Sequence, residues 1–141
     1  VSVFVDTAVI MYAGGRDHRL REPCTSLLRA IVAGEIEGAT SAEVVQEILH
    51  RFTASGARAI GAAMAEATLD IFAPVLPITE GVMRRMPALV LEYPAMAARD
   101  LVHVATCREA GIDLIVSPDR GFDTIDGLAR IDPVDAPARL L

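Results

Sequence analysis

The sequence predicts an α/β protein: a three-layer α/β/α domain built on a mainly parallel sheet. Three observations carry this. Val1-Ser2-Val3-Phe4-Val5 and Leu114-Ile115-Val116 are short, β-branched apolar runs that each stop close to an aspartate, Asp6 and Asp119; runs of this kind suit strands buried on both faces of a parallel sheet. Helical patterns, bounded by caps and breakers, fill the intervals between the strand candidates. The composition is 52% hydrophobic but only 4% aromatic, so the core is assembled from Ala, Val, Leu and Ile, which suits helices packed on a sheet. At 141 residues the chain is about one domain long, and a single domain over 1–141 is expected.

Each element has a local reason. After Asp6, Thr7 is placed to cap a short helix through Tyr12, ended by Gly14-Gly15. Pro23 fits the first turn of a helix reaching residue 33, with Gly34 as its cap. A strand over 36–39 leads into a helix from Thr40, where Thr40-x-x-Glu43 matches a capping box. An Ala-rich amphipathic helix spans 57–72, with Ile60, Met64, Ala67 and Ile71 on one stripe; its apolar face could also bind a partner. Residues 74–78 read as a short strand whose two prolines favour an edge or a strand end. Thr79 caps a helix to residue 91, and Tyr93-Pro94 breaks the chain before a helix over 95–110 closed by Gly111. The last strand is expected over 128–131, followed by a Pro-rich tail.

Charge and composition exclude several classes. No stretch approaches the roughly 18 apolar residues of a membrane span, and no basic-then-apolar leader precedes the first strand, so a cytoplasmic protein without membrane contact is expected. Cys24 and Cys107 lack metal-ligand spacing and read as reduced thiols in helices. The formal charge of −6 disfavours broad attraction to nucleic acid, although an acidic catalytic pocket would itself supply negative charge. All 13 basic residues are Arg. The absence of Lys removes P-loop NTPases, Schiff-base enzymes and receiver-type phospho-acceptor sites; Ala8 stands where a haloacid-dehalogenase-type phosphatase would need a second Asp.

The apolar patterning should turn Asp6, Glu47, Asp100 and Asp119 inward, and an inward carboxylate without a cation is costly. Asp6 and Asp119 follow strands, and ligands bind beyond the carboxyl ends of parallel strands. Glu43 and Glu47 share a helical face, but Glu43 has a capping role, whereas Glu47 lies among Val44, Ile48 and Phe52 without one. Asp100 sits early in its helix, where the dipole alone would favour a carboxylate; His103, one turn on, reads as a buried hydrogen-bonding group rather than a ligand. Converging carboxylates suit a hard cation, Mg²⁺ or Mn²⁺. With such a cation they could activate water against a phosphodiester.

The segments Phe4-Val5-Asp6-Thr7, Val44-Val45-Gln46-Glu47-Ile48, Arg99-Asp100-Leu101-Val102-His103-Val104-Ala105 and Ser117-Pro118-Asp119-Arg120-Gly121-Phe122-Asp123 give the chain, from residue 3 to about residue 131, a resemblance to PIN-domain ribonucleases of the VapC toxin type. The resemblance implies an α/β/α fold whose acidic quartet Asp6, Glu47, Asp100 and Asp119 holds Mg²⁺ or Mn²⁺ and cuts RNA internally through a metal-activated water. It also implies a homodimer silenced by a cognate VapB-like antitoxin. Thr7 and Ser117 match accessory positions, Ser117 as a hydroxyl orienting the acids. Asp123 matches a frequent extra acid, a position that equally suits a solvated loop. Pro118 departs from the polar residue such proteins commonly carry there.

Rim arginines would position the RNA backbone. Arg16 and Arg19 belong to the most basic stretch of the chain, whose plainer reading is a solvated loop, and Arg120 follows the last acid. Two other readings stay open at this level: a PIN-like RNA-processing nuclease without an antitoxin, and a non-catalytic metal-binding module.

Overall fold

The computed structural model describes residues 2–141; Val1, the first residue of the expected opening strand, lies outside them. The elements run β1 (Ser2–Val5), α1 (Thr7–Ala13), α2 (Arg21–Val32), β2 (Glu37–Ala39), α3 (Ala42–Ala54), α4 (Arg58–Ile71), α5 (Glu80–Glu92), α6 (Ala98–Ala110), β3 (Leu114–Val116), a 3-10 turn (Arg120–Thr124), β4 (Ala129–Ile131) and α7 (Ala136–Leu140).

Among the described residues the strands form one parallel sheet in the order β2-β1-β3-β4. Successive strand residues point to opposite faces, yet Val3, Phe4 and Val5 are all fully buried. Helices therefore cover both faces, as the near-continuous apolar run of β1 anticipates. From β1 the chain crosses to β2 on one side and later returns to β3 on the other. The crevice beyond the carboxyl ends of β1 and β3 is thus the topological switch point of the sheet.

Register decides what stands at that crevice. Val5 pairs with Val116, so Asp6 and Ser117, the next residues of their strands, emerge side by side, and the Asp6 amide continues the ladder to the Val116 carbonyl at 3.1 Å. The start of α3 is tied to the same place because Thr40 Oγ1 donates to the Val5 carbonyl at 2.8 Å. Gly34 and Gly111 take the left-handed conformation just past α2 and α6, with φ of 76° and 70°, as helix-ending glycines do.

Four local expectations need correction. Asp6, not Thr7, caps α1, accepting the Thr7 amide at 2.8 Å. Ser41 caps α3, accepting from the Val44 amide; Thr40, one residue earlier, donates its hydroxyl to the Val5 carbonyl of β1 instead. Residues 74–78 make only a single bridge, Ser41 to Leu76: Pro74 and Pro77 lack the amide donors a ladder needs. The Pro-rich tail folds into α7, with Pro137 in its first turn, where a missing amide costs nothing.

Candidate active site

Asp6, Glu47, Asp100 and Asp119 line one cavity of about 160 Å³, together with Ala8, Arg51, Ala97 and Arg99. Each acid arrives by a different route. Asp6 follows β1 and caps α1, Glu47 lies in the second turn of α3, Asp100 lies in the first turn of α6, and Asp119 caps the turn after β3 by accepting the Gly121 amide at 2.8 Å.

Their burial is unequal. Asp6 and Glu47 are each only 6% exposed, and Asp100 is half-buried. Asp119, expected to turn inward, is exposed at the rim. Its strand ends at Val116, Ser117 and Pro118 carry the chain outward, and its carboxylate is committed to the turn that follows.

Ser117 joins the inner and outer acids. Its hydroxyl donates to Asp6 Oδ2 at 2.7 Å and accepts the Asp119 amide at 3.0 Å. Pro118 leaves this arrangement intact, because the amide that matters here belongs to Asp119. Behind the cavity lies His103, wholly buried. Its Nε2 stands 3.5 Å from Glu47 Oε1 and 3.7 Å from Asp6 Oδ1, and its ring lies 5.5 Å from that of Phe4. At these distances the contacts are electrostatic rather than formed hydrogen bonds: both ring nitrogens, Glu47 Oε1 and Thr7 Oγ1 are buried without a hydrogen-bond partner.

The electrostatics follow from crowding. Burial pushes the Asp6 carboxyl above its ordinary range and nearby Glu47 adds to this, against His103, the Ser117 hydroxyl and the Thr7 amide. Burial likewise raises Asp100, reinforced by Asp6, Asp119 and Glu47. Burial would raise Glu47 too, but His103, Arg51 and Arg99 outweigh it and hold this carboxyl below its usual value. For His103 burial works against charge, and the carboxylates of Glu47, Asp6 and Asp100 overcome it, raising the imidazole pKa. Buried anions of this kind are tolerated when cations face them.

The accessory positions separate. Ser117 touches the quartet directly. Thr7 is buried next to Asp6. Asp123 turns instead to Arg130, which donates to it through Nε at 2.8 Å and Nη2 at 3.3 Å and also bonds the Ser117 carbonyl at 3.0 Å. The Arg130 guanidinium holds the Asp123 carboxyl below its ordinary range. Of the rim arginines, Arg16 lines a neighbouring cavity, whereas Arg19 and Arg120 are exposed and do not line the acid cavity.

The cations that do face the acids are Arg51 and Arg99, with Arg51 Nη2 at 3.4 Å from Glu47 Oε2. Both had a legible signal: Arg51 stands one helical turn after Glu47, and Arg99 immediately precedes Asp100. Cys24 and Cys107 are free and buried.

The donor set is all hard oxygen, with one buried oxygen lacking any donor, which fits a divalent cation of the Mg²⁺ class. Among the described residues no three His, Cys, Asp or Glu side chains already stand as a closed ligand group. Among the same residues no helix is long and apolar enough to cross a membrane.

Comparison with known proteins agrees with this geometry. The family model described as PIN domain matches residues 3–128. The chain is 32% identical over 129 residues to the VapC ribonuclease Mb1869c of Mycobacterium bovis, covering 92% of this chain and 98% of that protein. Among solved structures, VapBC2 from Rickettsia felis bound to a promoter DNA fragment superposes with a TM-score of 0.74 at 14% identity, over 94% of this chain and 98% of that one. VapBC-5 from Mycobacterium tuberculosis, a member of the VapBC family of toxin–antitoxin systems, superposes with a TM-score of 0.61 at 17% identity, over 93% and 98%. With a parallel sheet of matching fold and acids gathered at its switch point, the chain belongs to the PIN domain family, among the VapC ribonucleases.

Proposed function

We propose that the protein is a metal-dependent endoribonuclease, the toxin of a toxin–antitoxin pair. The observation that carries this reading is the convergence of Asp6, Glu47, Asp100 and Asp119 on one cavity in a chain related to VapC ribonucleases. Asp6, Glu47, Asp100 and Asp119 would hold Mg²⁺ or Mn²⁺, with water completing the shell, as hard cations prefer. Such a cation, when bound, lowers the pKa of coordinated water and neutralises charge developing at phosphorus.

The residues of the chain do the rest. Ser117 fixes the orientation of the Asp6 carboxylate through Oδ2. Glu47 is held ionised by His103, Arg51 and Arg99, and as an ionised carboxylate lining the cavity it would take the proton of an attacking water. Arg51 and Arg99 at the cavity wall position the RNA phosphate. Attack on phosphorus by that water would break the P–O3′ bond, the departing 3′-oxygen taking a proton from solvent, and leave a 5′-phosphate and a 3′-hydroxyl.

An apolar groove would seat the antitoxin. A cavity of about 740 Å³ forms this apolar groove between α1, α2 and α4, walled by Ile10, Leu28, Val32, Ile60, Met64 and Ile71. Val32 and Ile60 are 67% and 57% exposed, and an apolar helix face of the antitoxin would cover them. Met83, Val90 and Leu91, exposed on α5, offer a face for a homodimer.

The test is incubation of purified protein with single-stranded RNA and Mg²⁺ or Mn²⁺. Internal cuts bearing 5′-phosphate ends, abolished by EDTA and by Asp6→Asn, support the reading. Cutting that survives EDTA contradicts the metal-dependent mechanism.

A further inference from the structure

A second cavity, about 420 Å³, adjoins the acid cavity. It is lined by Ala8, Met11, Tyr12, Gly15, Arg16, Asp17, His18 and Arg51, and it shares Ala8 and Arg51 with the acid site. Ala8, Met11 and Tyr12 lie on one face of α1, and Tyr12 stands one turn, roughly 6 Å, beyond Ala8. The second cavity is therefore a short step along α1 from Asp6.

Its chemistry differs from that of the acid site. Tyr12 and His18 are stacked, with ring centroids 4.6 Å apart and planes inclined by 26°. The His18 ring is fixed by its own backbone: Nδ1 accepts the Leu20 amide at 3.1 Å, which places the proton of the neutral ring on Nε2 and leaves that nitrogen as a donor. Arg16 and Arg51 bring two guanidinium groups and Asp17 a carboxylate, and Arg51 also faces Glu47 of the acid cavity through Nη2 at 3.4 Å. Two guanidinium groups thus stand beside an aromatic pair. An aromatic platform with arginines is the combination that binds unpaired nucleotides, the ring stacking a base and the guanidinium groups meeting phosphates.

We infer that the cavity walled by Tyr12, His18, Arg16 and Arg51 is a base-binding subsite for an unpaired nucleotide of the RNA substrate next to the scissile phosphate. This rests on the ribonuclease reading and adds a specificity determinant to it. Arg51 belongs to both cavities, so it links the phosphate held at the acids to the neighbouring nucleotide. An outer face of the Tyr12–His18 stack takes that nucleotide's base, and the in-plane Nε2 donor of His18 discriminates the edge of the neighbouring base.

The experiment compares wild type with Tyr12→Ala, Tyr12→Phe, His18→Ala and Arg16→Ala, measuring KM, kcat and the nucleotide found beside each cut in single-stranded RNA with Mn²⁺. Losing a base stack raises KM about 5- to 150-fold in Tyr12→Ala with kcat little changed, while Tyr12→Phe stays near wild type. His18→Ala flattens the nucleotide preference at one position beside the cut. Arg16→Ala lowers the salt slope of binding by about 0.7. His18 and Arg16 are exposed, so their substitutions leave folding intact even if Tyr12→Ala does not; melting curves verify this. Unchanged KM and unchanged preference in His18→Ala and Tyr12→Ala, with cutting intact, overturn the subsite and leave the ribonuclease reading standing. If the wild type cuts no RNA, that reading falls separately. The subsite is then judged by anisotropy of a labelled single-stranded eight-nucleotide RNA of random sequence. Equal affinity for wild type and His18→Ala overturns it; affinity lost in the variant supports it.

Discussion

Ser117 and Asp6, 111 residues apart in the chain, are joined by a buried 2.7 Å hydrogen bond from the Ser117 hydroxyl to Asp6 Oδ2. The bond exists because β1 and β3 pair with Val5 opposite Val116, so that the next residue of each strand faces the other. A further 3.0 Å bond from the Asp119 amide to the same hydroxyl makes Ser117 the hinge between the innermost and outermost acids. Ser117→Ala removes both bonds and leaves a buried carboxylate oxygen unsatisfied, at a cost of about 1–3 kcal/mol. Metal affinity or RNA cleavage should fall roughly 10- to 100-fold, the usual effect of losing a group that orients a metal ligand. Metal titration and cleavage rates measured side by side check this.

The quartet is a liability without a cation. The Asp100 pKa is raised, by burial first and then by Asp6, Asp119 and Glu47. Its contribution to stability is therefore fully present below the ordinary carboxyl value of 3.8 and is lost as pH rises through the folded value. At neutral pH, Asp100→Asn should stabilise the metal-free protein, by roughly 2–4 °C for each kcal/mol recovered. The variant should also lose most of the stabilisation that Mg²⁺ or Mn²⁺ gives the wild type. Thermal melts of both proteins, with EDTA and with Mn²⁺, decide the matter; a less stable metal-free variant contradicts the account.

The thiols set a limit at high pH. Burial, with Asp132 adding for Cys24 and Asp6 for Cys107, pushes both up to about 12 from an ordinary 9.0. The folded state thus keeps protons that the unfolded state releases. This stability is fully present below pH 9.0 and is lost as pH rises from there towards 12. At pH 8 neither thiol should react with an aromatic disulfide reagent in the folded protein, and both should react in guanidinium chloride. Fast labelling of the folded chain would contradict their burial.

Gly61 is where α4 meets α3. A Cβ there would stand 2.6 Å from Phe52 Cβ, an atom next to backbone that cannot swing away. Gly61→Ala gains up to about 1 kcal/mol of helix propensity, but the overpacking costs about 1–3 kcal/mol. Net destabilisation is expected, and because alanine at 52 keeps the clashing Cβ, a double-mutant cycle with Phe52→Ala should leave most of the penalty in place. Denaturant unfolding of the single and double variants measures it.

How much of this was legible in the sequence depended on whether the signal was local. β1 and β3 announced themselves as β-branched runs ending near Asp6 and Asp119. Glu47 stood out from Glu43 because its apolar neighbours left it no local role. The exposure of Asp119 was not legible, since it follows from where Ser117 and Pro118 steer the chain after Val116. Thr40 looked like a cap and serves instead as a tether to β1, a choice made by a strand 35 residues away. Residues 74–78 have the apolar content of a strand but, with Pro74 and Pro77 lacking amide donors, pair only through Leu76. His103 read correctly as buried, yet its place between Asp6 and Glu47 required the packing of α6 against α3. Arg51 and Arg99 were adjacent in sequence to the acids, one by a helical turn and one by a single residue, and that proximity was the available clue.

The central claim is that the four gathered acids cut RNA. The most direct measurement is sequencing of RNA ends bearing a 5′-phosphate after controlled expression of the wild type and of Asp6→Asn. Discrete new ends, recurring at defined positions, are expected in the wild-type sample, and none in Asp6→Asn. The same ends in both samples, or none in either with both proteins folded, would contradict it.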